Sequence, residues 1–316
     1  DGILCQILTM ENYFRFSENI TGNLVNGKPL KFYNSIRDTT ISSPHGQIFL
    51  TNCSNIVLTD LDCSHTVIGI NMAYCNGCSI IDSNCSFVKQ TGLSIWYSNF
   101  TLIQNVVCNN STGIGIQIVQ SISISLIDNH CSNDYYGIYL GGAQSGILRG
   151  NTVTNNAYNA LGLYFVEDTL VCDNIFNSIF ACAIYIETSM ELAIFNNTCC
   201  SNGADGIYIY ESSEIIVHSN DCSSNAYSGL HLESSLSCII TSNLLAENGQ
   251  NGIYIIWGSY LVNWNTITAN NGYGIHMMIA ADSIVMNNII ALNDEYGAHL
   301  SYCTNISVHH NFFMNN

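Results

Sequence analysis

The 316-residue chain is 47% hydrophobic yet only 9% charged, with 24 Gly, 2 Pro and a formal net charge of −17. No apolar run reaches the roughly 18–20 residues a membrane span needs, and six Lys and Arg in so acidic a chain cannot neutralise nucleic-acid phosphates. Neither a nucleic acid nor a bilayer is therefore an expected partner.

In chain order, the opening at Asp1 rather than Met suits a secreted chain whose signal peptide has been removed, hence an extracellular or cell-envelope address. Sequons at Asn19, Asn52, Asn84, Asn99, Asn109, Asn110, Asn196 and Asn305 point the same way. Residues 1–45 follow no regular unit and hold Gly27-Lys28-Pro29-Leu30-Lys31 with most of the basic residues. A solenoid needs its open end covered, so this stretch is expected to form an N-terminal cap with irregular first turns. Residues 46–316 are then expected to form one continuous domain.

From Gly46 onward a unit repeats every 22 or 23 residues, starting at Gly46, Gly69, Gly92, Gly115, Gly137, Ala160, Ala183, Gly206, Gly229, Gly252, Gly274 and Gly297. Such a period marks a solenoid. Within GIYIYESSEIIVHSNDC (206–222), Ile207 and Ile209 alternate with Tyr208, as in a half-buried strand. A second alternating run lies at Ile215–Val217 and a third around Cys222. Three short strands per turn, with Ser/Asn/Gly corners, predict an all-β parallel β-helix of about 12 turns. Helical periodicity and leucine-rich signatures are both missing.

Fourteen residues past most unit starts stands Asn: Asn129, Asn151, Asn174, Asn197, Asn220, Asn243, Asn288 and Asn311, with Asn265 one place earlier in a shorter unit. Stacked turns would bring these amides about 4.8 Å apart, within reach of a hydrogen-bonded Asn ladder. Fifteen Cys is an odd count. Cys63, Cys85, Cys108, Cys131, Cys199 and Cys222 share a column where other turns place Val153, Phe176, Leu245 and Ile290, so they are expected as reduced core thiols. The corner cysteines Cys5, Cys53, Cys75 and Cys303 are the disulfide or inter-subunit candidates, and Cys75 and Cys78 alone have C-x-x-C spacing.

Two residues past the unit start runs a stripe of Tyr139, Tyr185, Tyr208, His231, Tyr254, His276 and His299, interrupted by Gly162. Its neighbours are the buried apolar pair, so the stripe faces outward. Three readings stay open: an assembly surface, a cross-strand ladder that stiffens the sheet, or a platform on which sugars stack. Asp168, Glu191 and Glu214 share another offset, flanked by Glu187, Glu211 and Glu233. Stacked carboxylates want solvent, shared protons or a cation, and their oxygens would suit Ca2+. No other cofactor is expected. The chain closes on Asn311-Phe312-Phe313-Met314-Asn315-Asn316 without a capping segment, which suits end-to-end pairing with another copy.

Units such as GIYLGGAQSGILRGNTVTNN and GIYIIWGSYLVNWNTITANN resemble NosD-like repeats, also termed carbohydrate-binding and sugar-hydrolysing repeats. GNLVNGKPLKFYNS, followed by GQIFLTNCSNIVLTDLDCSHTVIGI, is similar to envelope proteins of methanogenic archaea. The resemblance, over roughly 20–316, implies a right-handed helix and an extracytoplasmic address. The copper delivery linked to NosD by name would need converging Met, Cys or His, and His309-His310 and Met277-Met278 stand alone.

The expected function is a structural envelope protein, a sheath or surface-layer subunit that polymerises with itself. The first alternative is a cell-surface glycan-binding module. A polysaccharide-cleaving enzyme is the minority reading: no Arg-x-Lys accompanies His45-Gly46, and no Lys or Arg follows Arg149.

Overall fold

The alternation Ile207-Tyr208-Ile209 folds as the strand Ile207–Tyr210, with both Ile fully buried and Tyr208 half-buried. Burying one such Ile side chain contributes roughly 2–3 kcal/mol, and the next coil repeats the arrangement in register: Ile207↔Leu230 and Ile209↔Leu232. The computed structural model describes residues 22–42 and 44–316, in two compact units, Asp1–Thr152 and Val153–Asn316. Each is a right-handed parallel β-helix, the hand usual for connections between parallel strands.

In the first unit a short antiparallel pair, Leu24–Val25 against Lys28–Asn34, opens the described chain. Lys28–Asn34 then pairs in parallel with Gln47–Thr51, so coiling begins before Gly46. Ile48, Ile70, Leu93, Ile116 and Ile138 follow one another in a single file, all fully buried. A second face runs through Arg37–Ser42, Ser54–Thr59, Ser79–Ile81, Thr101–Gln104, Ile124–Ile127 and Ile147–Arg149.

In the second unit the first face runs through Leu161–Tyr164, Ile184–Glu187, Ile207–Tyr210 and the starts of Leu230–Thr241 and Ile253–Asn263, to Ile275–Ala280 and Ala298–Ser301. A further sheet stacks Leu244–Ala246, Thr266–Thr268, Ile289–Ala291 and Phe312–Met314.

What turns the chain is a left-handed residue at each of four corners per coil. In the coil from Gly206 these are Glu211, Glu214, Ser219 and Ser224, with φ of 46°, 56°, 55° and 58°. In the coil from Gly92 they are Tyr97, Phe100, Asn105 and Asn110, with φ of 48°, 52°, 53° and 59°. Asn, Asp, Ser and Gly tolerate this conformation best, which explains the polar corners of the repeat. The small residue opening each coil has a different cause: a Cβ on Gly206 would lie 2.6 Å from the Gly229 carbonyl oxygen and 2.9 Å from Cys222 Cβ.

Asn files hold the corners dry. Asn129 donates to Asn151 Oδ1 in the first unit. In the second, Asn174, Asn197, Asn220, Asn243, Asn265, Asn288 and Asn311 form a chain, each amide donating to the next side-chain oxygen at 2.8–3.1 Å. A second Asn ladder, which the +14 spacing does not reveal, runs through Asn202, Asn225, Asn248, Asn270, Asn293 and Asn316. Ser oxygens cap a third file, Ser189, Ser212 and Ser235, each accepting from the backbone N–H of the preceding coil. All fourteen described cysteines are free thiols, Cys53, Cys75 and Cys303 included, and Cys5 lies outside the described residues. The column Cys63, Cys85, Cys108, Cys131, Cys199 and Cys222 is fully buried.

Candidate functional site

The stripe in the second unit closes into a stack of rings, one per coil. Successive centroids from Tyr185 through Tyr208, His231, Tyr254 and His276 to His299 lie 5.3, 4.3, 4.8, 5.1 and 4.9 Å apart. Tyr208 and His231 are stacked at 15°, whereas Tyr185 meets Tyr208 edge-on at 84°. Rings whose faces meet their neighbours present mainly edges and hydroxyls outward. Tyr139, in the first unit, instead packs edge-on to Tyr136.

Beneath the stack, Asp205 is buried, accepts from the Ser228 N–H at 2.8 Å and lies 3.4 Å from His231 Nδ1. This partner was missed from the sequence because Asp205 closes the unit that starts at Ala183, away from both the stripe and the acidic column. Beside the stack runs a second outward column, in which register pairs Tyr164 with Glu187, Glu187 with Tyr210, and Tyr210 with Glu233. Tyrosines and carboxylates thus alternate along it, one coil apart. The two columns are tied together: Tyr208 Oη donates to Glu233 Oε2 at 2.6 Å and Tyr185 Oη to Glu187 Oε2 at 3.0 Å. Burial, then the neighbouring carboxylates, push the Tyr185 and Tyr208 hydroxyls above the usual phenol range. They stay protonated donors at neutral pH.

The remaining predicted acids lie elsewhere. Asp168, Glu191 and Glu214 occupy one exposed corner file at φ of 47°, 56° and 56°. Glu191 and Glu214 line a shallow groove of about 630 Å³ with Ala193, Ile216, Ser237 and Ile239. Glu211 is an exposed corner residue whose carboxylate, beside Tyr210, pushes that hydroxyl up. Among the described residues no three His, Cys, Asp or Glu side chains group as a metal-ion ligand set. Nor is any helix among them long and apolar enough to cross a membrane.

The chain matches a family described as "Periplasmic copper-binding protein (NosD)" over residues 9–183 and 180–316. No curated protein matches it. Among solved structures it is similar to a mutant of the periplasmic alginate epimerase AlgG, with a TM-score of 0.66 at 14% identity over 85% of this chain and 78% of that one. It is similar to the A-module of the mannuronan C-5 epimerase AlgE6 of Azotobacter vinelandii, with a TM-score of 0.62 at 10% identity over 86% and 89%. The Dettilon tailspike protein follows at 0.53 and 14%, over 85% of this chain and 62% of that one. At such identities the likeness is one of fold.

Proposed function

This chain belongs to the NosD family, and on that footing we propose that it is a periplasmic or cell-surface β-helix that binds a neutral glycan along the Tyr/Glu face of its second unit. The observation that carries the reading is the register-matched column Tyr164, Glu187, Tyr210, Glu233. Carboxylates accept hydrogen bonds from sugar hydroxyls, and half-buried tyrosine rings supply apolar contact with a polar tip. A repeat of one coil, about 4.8 Å, suits a ligand that is itself a repeating chain.

Neutrality follows from charge. A polyuronate such as alginate carries one carboxylate per sugar, and no Lys or Arg follows Arg149 to meet it. The same absence separates this face from epimerase chemistry, since removing a proton beside a carboxylate calls for a cation to hold the developing charge. The reading is therefore binding without turnover. Copper, named in the family description, requires soft ligands that converge, and among the described residues no three His, Cys, Asp or Glu side chains do so.

A second reading, a sheath or surface-layer subunit polymerising with its own copies, is favoured by exposed aromatic corners: Phe165, Trp257, Trp264 and Tyr302 are 65%, 54%, 62% and 85% exposed. One experiment separates the readings. Native gels containing a neutral glucan, galactan or mannan should retard the protein, alginate should not, and Tyr210→Ala with Glu233→Gln should weaken retention roughly tenfold, about 1.4 kcal/mol. The same samples in electron micrographs should show discrete particles. Filaments without glycan retention would favour the sheath; reducing sugar released by wild type but not by Glu233→Gln would make the face catalytic.

A further inference from the structure

Three thiols of the first unit lie together at one corner. Thr51 pairs with Ala73 and Ser54 with Asn76, which places Cys53 opposite Cys75 in adjacent coils, and the Asn76 N–H donates to the Cys53 carbonyl at 3.0 Å. Cys75 and Cys78 flank Asn76 and Gly77, whose φ of 66° folds the chain back at the corner. The thiols turn to backbone carbonyls at the same corner: Cys53 Sγ donates to Thr51 at 3.2 Å, Cys75 Sγ to Ala73 at 3.3 Å and Cys78 Sγ to Asn76 at 3.7 Å, and Cys78 Sγ lies 4.0 Å from the Cys53 carbonyl oxygen. All three are buried, at 2% exposure each.

We propose that Cys53, Cys75 and Cys78 form a dithiol/disulfide site, in which Cys75 closes a bond to Cys53 across coils and Cys78 exchanges with it. Three points support the assignment. In-register positions of neighbouring strands fall within the Cα separation a disulfide spans, roughly 4.4–6.8 Å. The family is described as periplasmic, a compartment that oxidises paired thiols. The site also differs chemically from the buried cysteine column. Proximity to Cys75 lowers the Cys53 thiol to about 7 and lowers Cys78 as well, while Cys75 between them is raised in return; in the column, burial raises Cys63 and Cys108. Thiolate, the reacting form, is thus favoured at Cys53 and Cys78, with the shared proton held on Cys75, and is disfavoured in the core.

The oxidant is a small disulfide, RSSR. Cys53 thiolate attacks one of its sulfurs and expels RS⁻, and Cys75, losing its proton, displaces the second RS⁻ from the mixed disulfide. One protein S–S bond and two RSH result. Cys78 thiolate can then attack Cys75 Sγ, forming the 75–78 bond and releasing Cys53 as thiolate, with no further oxidation.

The test oxidises the folded full chain with excess oxidised glutathione, quenches it, and alkylates it in denaturant for mass spectrometry. Two of the 15 cysteines should resist alkylation, and a linked peptide pair joining Cys75 to Cys53 or Cys78 should lie about 2 Da below the sum of its thiols. Cys75→Ser should abolish both links. It should fold, because Ser98 fills the corresponding position one coil on and accepts the Cys75 N–H. Cys108→Ser should leave the links intact. Full alkylation of all three corner thiols after oxidation, or links joining Cys85 to Cys108 instead, would overturn the proposal.

Discussion

Asp134 stands nineteen residues past Gly115, the offset at which the second unit builds its additional ladder from Asn202, Asn225 and Asn248. It is 2% exposed and accepts the Ser111 N–H at 2.6 Å. Burial pushes its carboxyl up to about 7, against the lowering effect of the Ser111 hydrogen bond. The native state thus holds this proton more firmly than the unfolded chain does. Its contribution is full below about pH 4, the unfolded value, and is lost as pH rises through about 7. Asp134→Asn should remove that loss, so the variant gains on the wild type by on the order of 1–4 kcal/mol between pH 4 and 8. Urea midpoints at the two pH values measure it; parallel pH trends for the two proteins would contradict it. Not every residue-scale feature was legible. Asn, Asp and Ser announce left-handed corners, but Trp257 at φ 59° and Ile279 at φ 55° do so only by place in the repeat, since neither has a short polar side chain to satisfy the bend.

At the scale of elements, the ladders are what the sequence shows best. A +14 Asn survives as a buried file because each amide makes several hydrogen bonds at once. Asn220 Nδ2 donates to the Ile194 carbonyl at 2.9 Å and to Asn243 Oδ1 at 3.1 Å, while its own Oδ1 accepts from the Asn197 N–H and Nδ2. Asn220→Ala should strand these groups without water and cost on the order of 3 kcal/mol or more, read from urea unfolding. Ser219→Ala, at the neighbouring corner, should shift stability by under about 1 kcal/mol. Equal effects would mean that the file contributes little. The second ladder was harder to see, because Val88, Ser111, Asp134 and Ile179 stand at its offset elsewhere and break the pattern. The stripe was legible as outward-facing. That its rings would spend their faces on one another needed coordinates, since spacing gives a column but not the tilt of its rings.

For the molecule as a whole, the period fixes which side chains share a file, and from that the candidate site is half readable. Glu187 and Glu233 emerge from the sequence as members of an acidic group, yet the structure moves them beside Tyr185 and Tyr208 and leaves Asp168, Glu191 and Glu214 on a separate corner. Offsets of four and eight residues past a unit start look adjacent in the sequence, but a left-handed corner turns the chain between them. Glu211, one residue further than Glu187 in its own unit, is itself such a corner. The distribution of charge, by contrast, was complete in the sequence: an acidic chain with no Lys or Arg after Arg149 selects against anionic polymers wherever on the second unit they dock.

Hydrogen–deuterium exchange of the full chain, with and without the neutral polysaccharide that retards it, tests the glycan assignment most directly. Added glycan should slow exchange in peptides carrying Glu187, Tyr210 and Glu233 and leave unchanged those that carry Ile239 or Trp264 without any of these three. Slowing confined to the Glu191 groove or to the Trp257 and Trp264 corners, or spread evenly over both units, would contradict it.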